Sequence, residues 1–308
     1  MTSAIETEAL TRRFRRQLAV DGITLEVPCG SVFALIGPNG AGKTTFIKLL
    51  MNLIRPTRGI ARVLGTDTRR MGPAAFARIG YVSENQKLPG WMTTSELLAY
   101  LRPFYPTWDD ALCRKVQRDL GLDDGKKLRA LSRGTRMKAA LLASLAYRPE
   151  LIVLDEPFTG LDPLVREELI TGLLELPGEQ PWTVLVASHD IDEVERLADW
   201  VGFVEGGRLL FAEPVAALLA RFRLVEIVAD AGAALTAPLR PSWLPLGTAG
   251  RTLRFVDTQH VGTDAAAQIQ ALYAGADVRI TPLPLREVFV ALARQASAGR
   301  QSPAVERI

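Results

Sequence analysis

The run Gly37-Pro38-Asn39-Gly40-Ala41-Gly42-Lys43-Thr44 stands between a short apolar segment and an amphipathic one, an order that few folds accommodate. Upstream, Val32-Phe33-Ala34-Leu35-Ile36 is continuously apolar, as in a strand of a parallel sheet covered on both faces. Downstream, the spacing of Phe46, Ile47, Leu49, Leu50, Leu53 and Ile54 predicts a helix over Thr45 to Ile54. Between the two, glycines let successive backbone N–H groups turn toward one anion, and the helix N-terminus adds its partial positive charge. In such a loop Lys43 reaches the β- and γ-phosphates of a nucleoside triphosphate and the Thr44 hydroxyl ligates magnesium.

Two further apolar runs end in chemistry. Leu151-Ile152-Val153-Leu154 delivers Asp155-Glu156 to the C-terminal end of a buried strand, where open α/β sheets build their sites. In P-loop enzymes an acid placed like Asp155 holds magnesium, and Glu156 beside it can orient and deprotonate an attacking water. Thr183-Val184-Leu185-Val186-Ala187 delivers Ser188-His189-Asp190, so that His189 can bond a γ-phosphate. The other histidine, His260, is expected at the surface among polar neighbours. Leu131-Ser132-Arg133-Gly134-Thr135 precedes a helical run from Arg136 to Tyr147 and forms a second anion-ready helix start.

Taken in order, these motifs over about residues 4 to 215 resemble the nucleotide-binding subunits of ATP-binding cassette (ABC) transporters. The resemblance implies an α/β P-loop NTPase fold of the ABC ATPase kind: a RecA-like core sheet with a helical subdomain at about residues 85–145. Phe14 would stack on adenine; Gly37, Pro38, Asn39, Gly40, Ala41, Gly42, Lys43, Thr44 and the following Thr45 would hold ATP. Ser132 and Gly134 would face the phosphates from the signature, and Gly160-Leu161-Asp162 would be the D-loop. Thr44, Asp155 and Glu84 would serve Mg2+; Glu156, His189 and Lys43 would be catalytic. In this family ATP lies between the Walker loops of one subunit and the signature of another. A homodimer or a pairing with a paralogous ATPase subunit follows, bound to an integral membrane transporter subunit at the cytoplasmic face of the membrane.

Three positions depart from the usual pattern. Where family members place a sensing glutamine, Ile79-Gly80-Tyr81-Val82-Ser83 leads to Glu84, with Gln86 two residues on; register favours Glu84. The signature carries Arg133 and Thr135 where glycine and glutamine are usual. Phe104-Tyr105-Pro106-Thr107-Trp108-Asp109 is similar to a subset of bacterial export cassettes; the apolar and aromatic residues around it read mainly as core of the helical subdomain, with a minority lining the groove that, by the resemblance, receives a coupling helix of the membrane partner.

With 308 residues, 48% of them hydrophobic, the chain can bury two cores. The net charge of +3 is small and spread out, so no nucleic acid partner is expected. Cys29 and Cys113 are too few for a disulfide framework, and no apolar run is long enough to span a bilayer or to act as a leader. A soluble ABC-type ATPase acting on nucleic acid or ribosomes is the alternative; its usual coiled coils or second cassette are missing from the sequence. Residues 1–215 are read as the ATPase domain and 216–308 as a small C-terminal α+β appendage. In it Arg223–Val228 and Arg251–Val256 alternate like strands, an Ala/Pro/Gly stretch separates them, Leu285, Val288, Phe289 and Leu292 form a helical stripe, and the tail after Gly299 is expected to be mobile.

Overall fold

A computed structural model describes residues 2–84, 86–174, 182–228, 240, 242–260, 262–273 and 275–300, of which 248–249, 262–266 and 293–300 are described by backbone alone. The chain divides into two compact units, Met1–Glu213 and Pro214–Ile308. The first begins with β1 (Ser3–Phe14), β2 (Gln17–Pro28), β3 (Val32–Ile36), α1 (Lys43–Leu50), β4 (Arg58–Val63), β5 (Thr66–Asp67), α2 (Pro73–Phe76) and β6 (Ile79–Ser83). It continues through α3 (Thr94–Leu101), α4 (Asp110–Asp119), α5 (Arg133–Leu145), β7 (Leu151–Asp155), α6 (Pro163–Leu174), β8 (Thr183–Ser188), α7 (Ile191–Leu197), β9 (Trp200–Glu205) and β10 (Arg208–Pro214).

Two sheets carry this unit. One is antiparallel with strand order β2-β1-β4-β5; the other has six strands in the order β10-β9-β3-β8-β7-β6. In the second, β9, β3, β8, β7 and β6 run parallel, each pairing with its neighbours. The three apolar runs of the sequence are its central strands, and every residue of β7 and β8 is buried. Their register aligns the strand ends: Ile36 pairs with Ser188, Ala187 with Asp155, and Asp155 with Ser83. The C-terminal ends of β3, β8, β7 and β6 therefore lie in one row, where the chain leaves the sheet for the phosphate-loop, histidine, Asp-Glu and sensing segments.

The helix after the glycine-rich loop is shorter than its apolar spacing predicts. It ends at Leu50, and Asn52 adopts a left-handed φ of 51°. Phe46, Ile47, Leu49 and Leu50 are buried in the core, whereas Leu53, outside the helix, is exposed. Between β6 and β7 the chain forms α3, α4 and α5. A capping box starts α3, with the Thr93 hydroxyl accepting from Glu96 N and the Glu96 side chain accepting from Thr93 N. The aromatic residues here are less buried than expected: Leu97 and Leu98 are core, but Trp91, Tyr100 and Phe104 are exposed, and Tyr105 stacks on Tyr147 with centroids 3.8 Å apart.

The second unit contains α8 (Val215–Arg221), β11 (Arg223–Val228), β12 (Trp243–Ala249), β13 (Thr252–Asp257), α9 (Gly262–Leu272), β14 (Asp277–Pro282) and α10 (Leu285–Arg300). Its sheet is antiparallel, with order β12-β13-β11-β14. Val225, Ile227, Trp243, Leu253, Phe255, Ile269 and Tyr273 form one buried cluster. Two strands lie outside the two alternating segments read above: β12 falls inside the Ala/Pro/Gly stretch that separates them, and β14 carries a short alternation of its own, Val278 and Ile280 between polar residues, with those two packed against the core. His260, expected at the surface, has a side chain only 12% exposed, with Nδ1 3.2 Å from Asp257 Oδ2. The end of the tail, from residue 301, lies outside the described residues.

Candidate nucleotide site

The loop from Gly37 to Thr44 turns between β3 and α1 under tight backbone constraints. A Cβ on Gly37 would lie 2.0 Å from the Val204 carbonyl oxygen, and one on Gly42, whose φ is +109°, would lie 2.2 Å from the Ala19 carbonyl oxygen. Both glycines let the loop pass against backbone that cannot rotate aside. The Ala41 carbonyl accepts from Gly207 N at 2.9 Å, and Ala41 N donates to the Pro38 carbonyl at 3.0 Å. Because α1 starts at Lys43 and its N-cap, Gly42, offers no side-chain acceptor, the first N–H groups of the helix have no acceptor within it. Pro38, Asn39, Gly40 and Thr44 are exposed along the loop and Thr45 is half-buried. Gly37→Ala is expected to lower stability by at least about 1–3 kcal/mol and to impair nucleotide binding, since a methyl group must displace the β9 backbone. Chemical denaturation and an ATP titration check this; unchanged values for both would mean that the loop has more room than its geometry shows.

Lys43 is nearly buried, with a side chain 5% exposed. Its Nζ donates to the Gly37 carbonyl at 2.6 Å and the Pro38 carbonyl at 3.4 Å, and pairs with Glu156 Oε1 at 3.0 Å. The other carboxylate oxygen of Glu156, Oε2, lies 2.7 Å from His189 Nδ1 and accepts from the Thr159 hydroxyl at 3.1 Å. Glu156 follows β7 directly and has a left-handed φ of 52°. For a residue with a Cβ that backbone costs on the order of 1–2 kcal/mol, and it is held by four bonds: three to the side chain and one from Glu156 N to the Ala187 carbonyl at 3.0 Å.

The Thr44 hydroxyl donates to Asp155 Oδ1 at 2.9 Å. Burial pushes the Asp155 carboxyl above the usual carboxylate range; the Thr44 hydrogen bond opposes that shift and neighbouring Glu156 adds to it. Behind this pair the Ser188 hydroxyl donates to Glu193 Oε2 at 2.8 Å, and burial likewise raises the Glu193 carboxyl. Among the described residues no group of three or more His, Cys, Asp or Glu side chains is placed to hold a metal. One hydroxyl and one carboxylate are the sparse, hard-oxygen set that suits Mg2+, which keeps several waters and takes its remaining ligands from phosphate.

The other predicted positions make contacts of their own. Phe14 is 41% exposed at the end of β1, and the Arg12 guanidinium carbon lies over its ring at 4.4 Å. Ser132 caps α5, accepting from Thr135 N at 3.1 Å. Gly134 is buried, and a Cβ there would lie 2.7 Å from Val165 Cγ1, so this glycine lets α5 approach α6 closely. Asp162 Oδ1 accepts from Val165 N at 3.0 Å at the start of α6. The Glu84 carboxylate does not join Thr44 and Asp155; it accepts from Arg133 at 2.9 Å, while Gln86 Oε1 accepts from Ser83 N at 3.3 Å. Sequence reasoning missed Thr159, Glu193 and the Arg12 and Arg133 contacts: the first three are local partners of Glu156, Ser188 and Phe14 that no motif marks, and only Arg133 meets its partner, Glu84, across 49 residues of chain.

Comparisons with known proteins bear on the family and the fold. The profile of the family described as ABC transporter matches residues 20–159. The bacitracin transport ATP-binding protein BcrA of Enterococcus faecalis is 32% identical over 212 residues, covering 68% of this chain and 69% of that protein. The Nod factor export ATP-binding protein I of Neorhizobium galegae is 30% identical over 262 residues, 82% of this chain and 75% of its own length. A solved structure of an ATP-binding subunit of an ABC transporter superposes with a TM-score of 0.63 at 25% identity, over 71% of this chain and 92% of that one. With these relatives covered over more than two thirds of their length and the loop, Asp-Glu and histidine strand ends drawn into one row, the chain belongs to the ABC transporter family as one of its ATP-binding, ATP-hydrolysing subunits.

Proposed function

We propose that the chain is a peripheral subunit on the cytoplasmic face of a membrane, where it hydrolyses ATP to drive export through a separate integral membrane partner, as a homodimer or beside a paralogous ATPase subunit. The observation that carries this reading is the convergence of Lys43, Glu156 and His189 in one bonded cluster beside the Thr44–Asp155 pair. Support for export comes from the name of one relative, the Nod factor export ATP-binding protein I. Among the described residues no helix is long and apolar enough to cross a membrane; in this reading the translocation path belongs to the membrane partner.

In this reading Lys43 exchanges its carbonyl and carboxylate partners for phosphate oxygens, and the loop N–H groups and the α1 N-terminus hold the remaining charge. Phe14 offers its free ring face to the adenine. Glu156 orients a water and takes its proton, His189 holds Glu156 through Nδ1 and turns Nε2 toward the γ-phosphate, and Thr159 steadies the same carboxylate. Thr44 and Asp155 would hold Mg2+, which supplies charge neutralisation on the phosphates when bound. Ser132 and the α5 N-terminus would meet the triphosphate held by a second subunit.

The test is isolation of the tagged full chain from native membranes in mild detergent. We expect an integral membrane protein in stoichiometric amount and phosphate release from ATP by the pair. Recovery with RNA or ribosomal proteins and no membrane protein would overturn the transport reading in favour of the soluble ATPase.

A further inference from the structure

Two of the departures from the family pattern touch each other. Glu84, where glutamine is usual, and Arg133, in a signature position usually glycine, lie 49 residues apart in sequence and form an ion pair at 2.9 Å. The guanidinium is also seated sterically: a Cβ on Gly160, whose φ is +69°, would lie 2.6 Å from Arg133 Nη1. One side chain thus joins three segments, the end of β6, the start of α5 and the turn before α6. Both ends connect to the site. Glu84 N donates to the Asp155 carbonyl at 2.9 Å, and Arg133 follows Ser132, which caps α5. Glu84 and Arg133, with Ser83, Gln86, Arg136 and Met137, line a cavity of about 310 Å3, so the pair has room to separate.

We propose that Arg133 is a positioning residue and that its pairing with Glu84 within one subunit competes with closure of two subunits on ATP. The proposal rests on the reading of the chain as a dimeric ATP-driven subunit and specifies its regulation. A triphosphate presented by a second subunit draws the guanidinium, and a magnesium ion beside Asp155 draws the carboxylate. Occupancy on either side therefore weakens the pair, and the pair in turn holds the α5 N-terminus back from the neighbouring subunit. Both side chains are part-exposed, at 43% and 32%, so the effect is a tuning one, about two- to five-fold in the ATP requirement for closure.

The experiment measures ATP-dependent dimerisation of the full chain by analytical ultracentrifugation with Glu156→Gln present throughout to prevent turnover. Glu84→Gln keeps shape and hydrogen-bonding capacity but removes the charge, and should lower the ATP concentration for half-maximal dimerisation about two- to five-fold. In an Arg133→Gly background the same change should have no such effect, whereas Arg133→Lys should retain part of it. A Glu84→Gln variant that needs more ATP, equally with and without Arg133, would show a magnesium-side role alone and overturn the proposal. A shift confined to the melting temperature, with the ATP dependence unmoved, would show a merely structural pair and also overturn it. If the Glu156→Gln parent itself forms no ATP-dependent dimer, the homodimer reading fails, and the proposal with it, while the transport reading is judged separately by the membrane protein recovered with the chain.

Discussion

A Glu156→Gln chain is expected to bind ATP at least as tightly as the unmodified protein and to release phosphate about 10²- to 10⁴-fold more slowly. The amide has the shape of the carboxylate, so contacts to Thr159 and Lys43 can persist, and Lys43 keeps its two carbonyl acceptors. What disappears is the negative charge that can take a proton from water. Removing it beside Lys43 also leaves the ammonium freer to meet phosphate, which is why affinity should not fall. Steady-state phosphate release and an equilibrium nucleotide titration on the same preparation separate the two effects. Turnover within ten-fold of the parent would strip Glu156 of its role and leave its left-handed backbone unexplained by catalysis.

Lys43→Ala should have the complementary outcome. Charge-assisted bonds to the phosphates are worth about 1.5–3 kcal/mol, so ATP affinity should fall by roughly ten- to a hundred-fold. The same substitution strands Glu156, whose side chain is 11% exposed, without its cationic partner. Breaking a buried pair from one side commonly costs about 3–5 kcal/mol, and His189 and Thr159 will offset part of that here. The folded chain should therefore melt lower even without nucleotide. Adding Glu156→Gln to Lys43→Ala should restore stability and leave affinity weak, because only the stranded charge is removed. Calorimetry and ATP titration across the four proteins form the cycle. Equal affinity in Lys43→Ala and the parent would remove Lys43 from the phosphate site.

Much of the site can be read along the chain because its parts are local. A continuous apolar run followed by glycines, lysine and threonine has one sensible backbone path, and the same holds for Asp155-Glu156 and His189 after their buried strands. Such motifs state which atoms leave the sheet at which strand end. The alternation of Arg223–Val228 similarly marks a half-buried strand, with Val225 and Ile227 in the core. By contrast, the length of α1 is set by the reversal at Asn52, although the apolar spacing continues to Ile54.

The sequence by itself determined the class of fold, the glycine-rich loop and the delivery of Asp155-Glu156 and His189 to the ends of buried strands, since each depends on residues within a few positions of one another. Only the tertiary structure decided how those groups are spent. The register of β3, β8, β7 and β6 brings Lys43 to Glu156 and Thr44 to Asp155 across more than a hundred residues of chain. Gly134 is committed to the close approach of α5 to Val165, and Glu84 meets Arg133, through packing of segments that no local spacing encodes. Periodicity and motif report what a backbone does over a few residues; which side chains meet depends on how distant segments share space, and that is settled when the core closes.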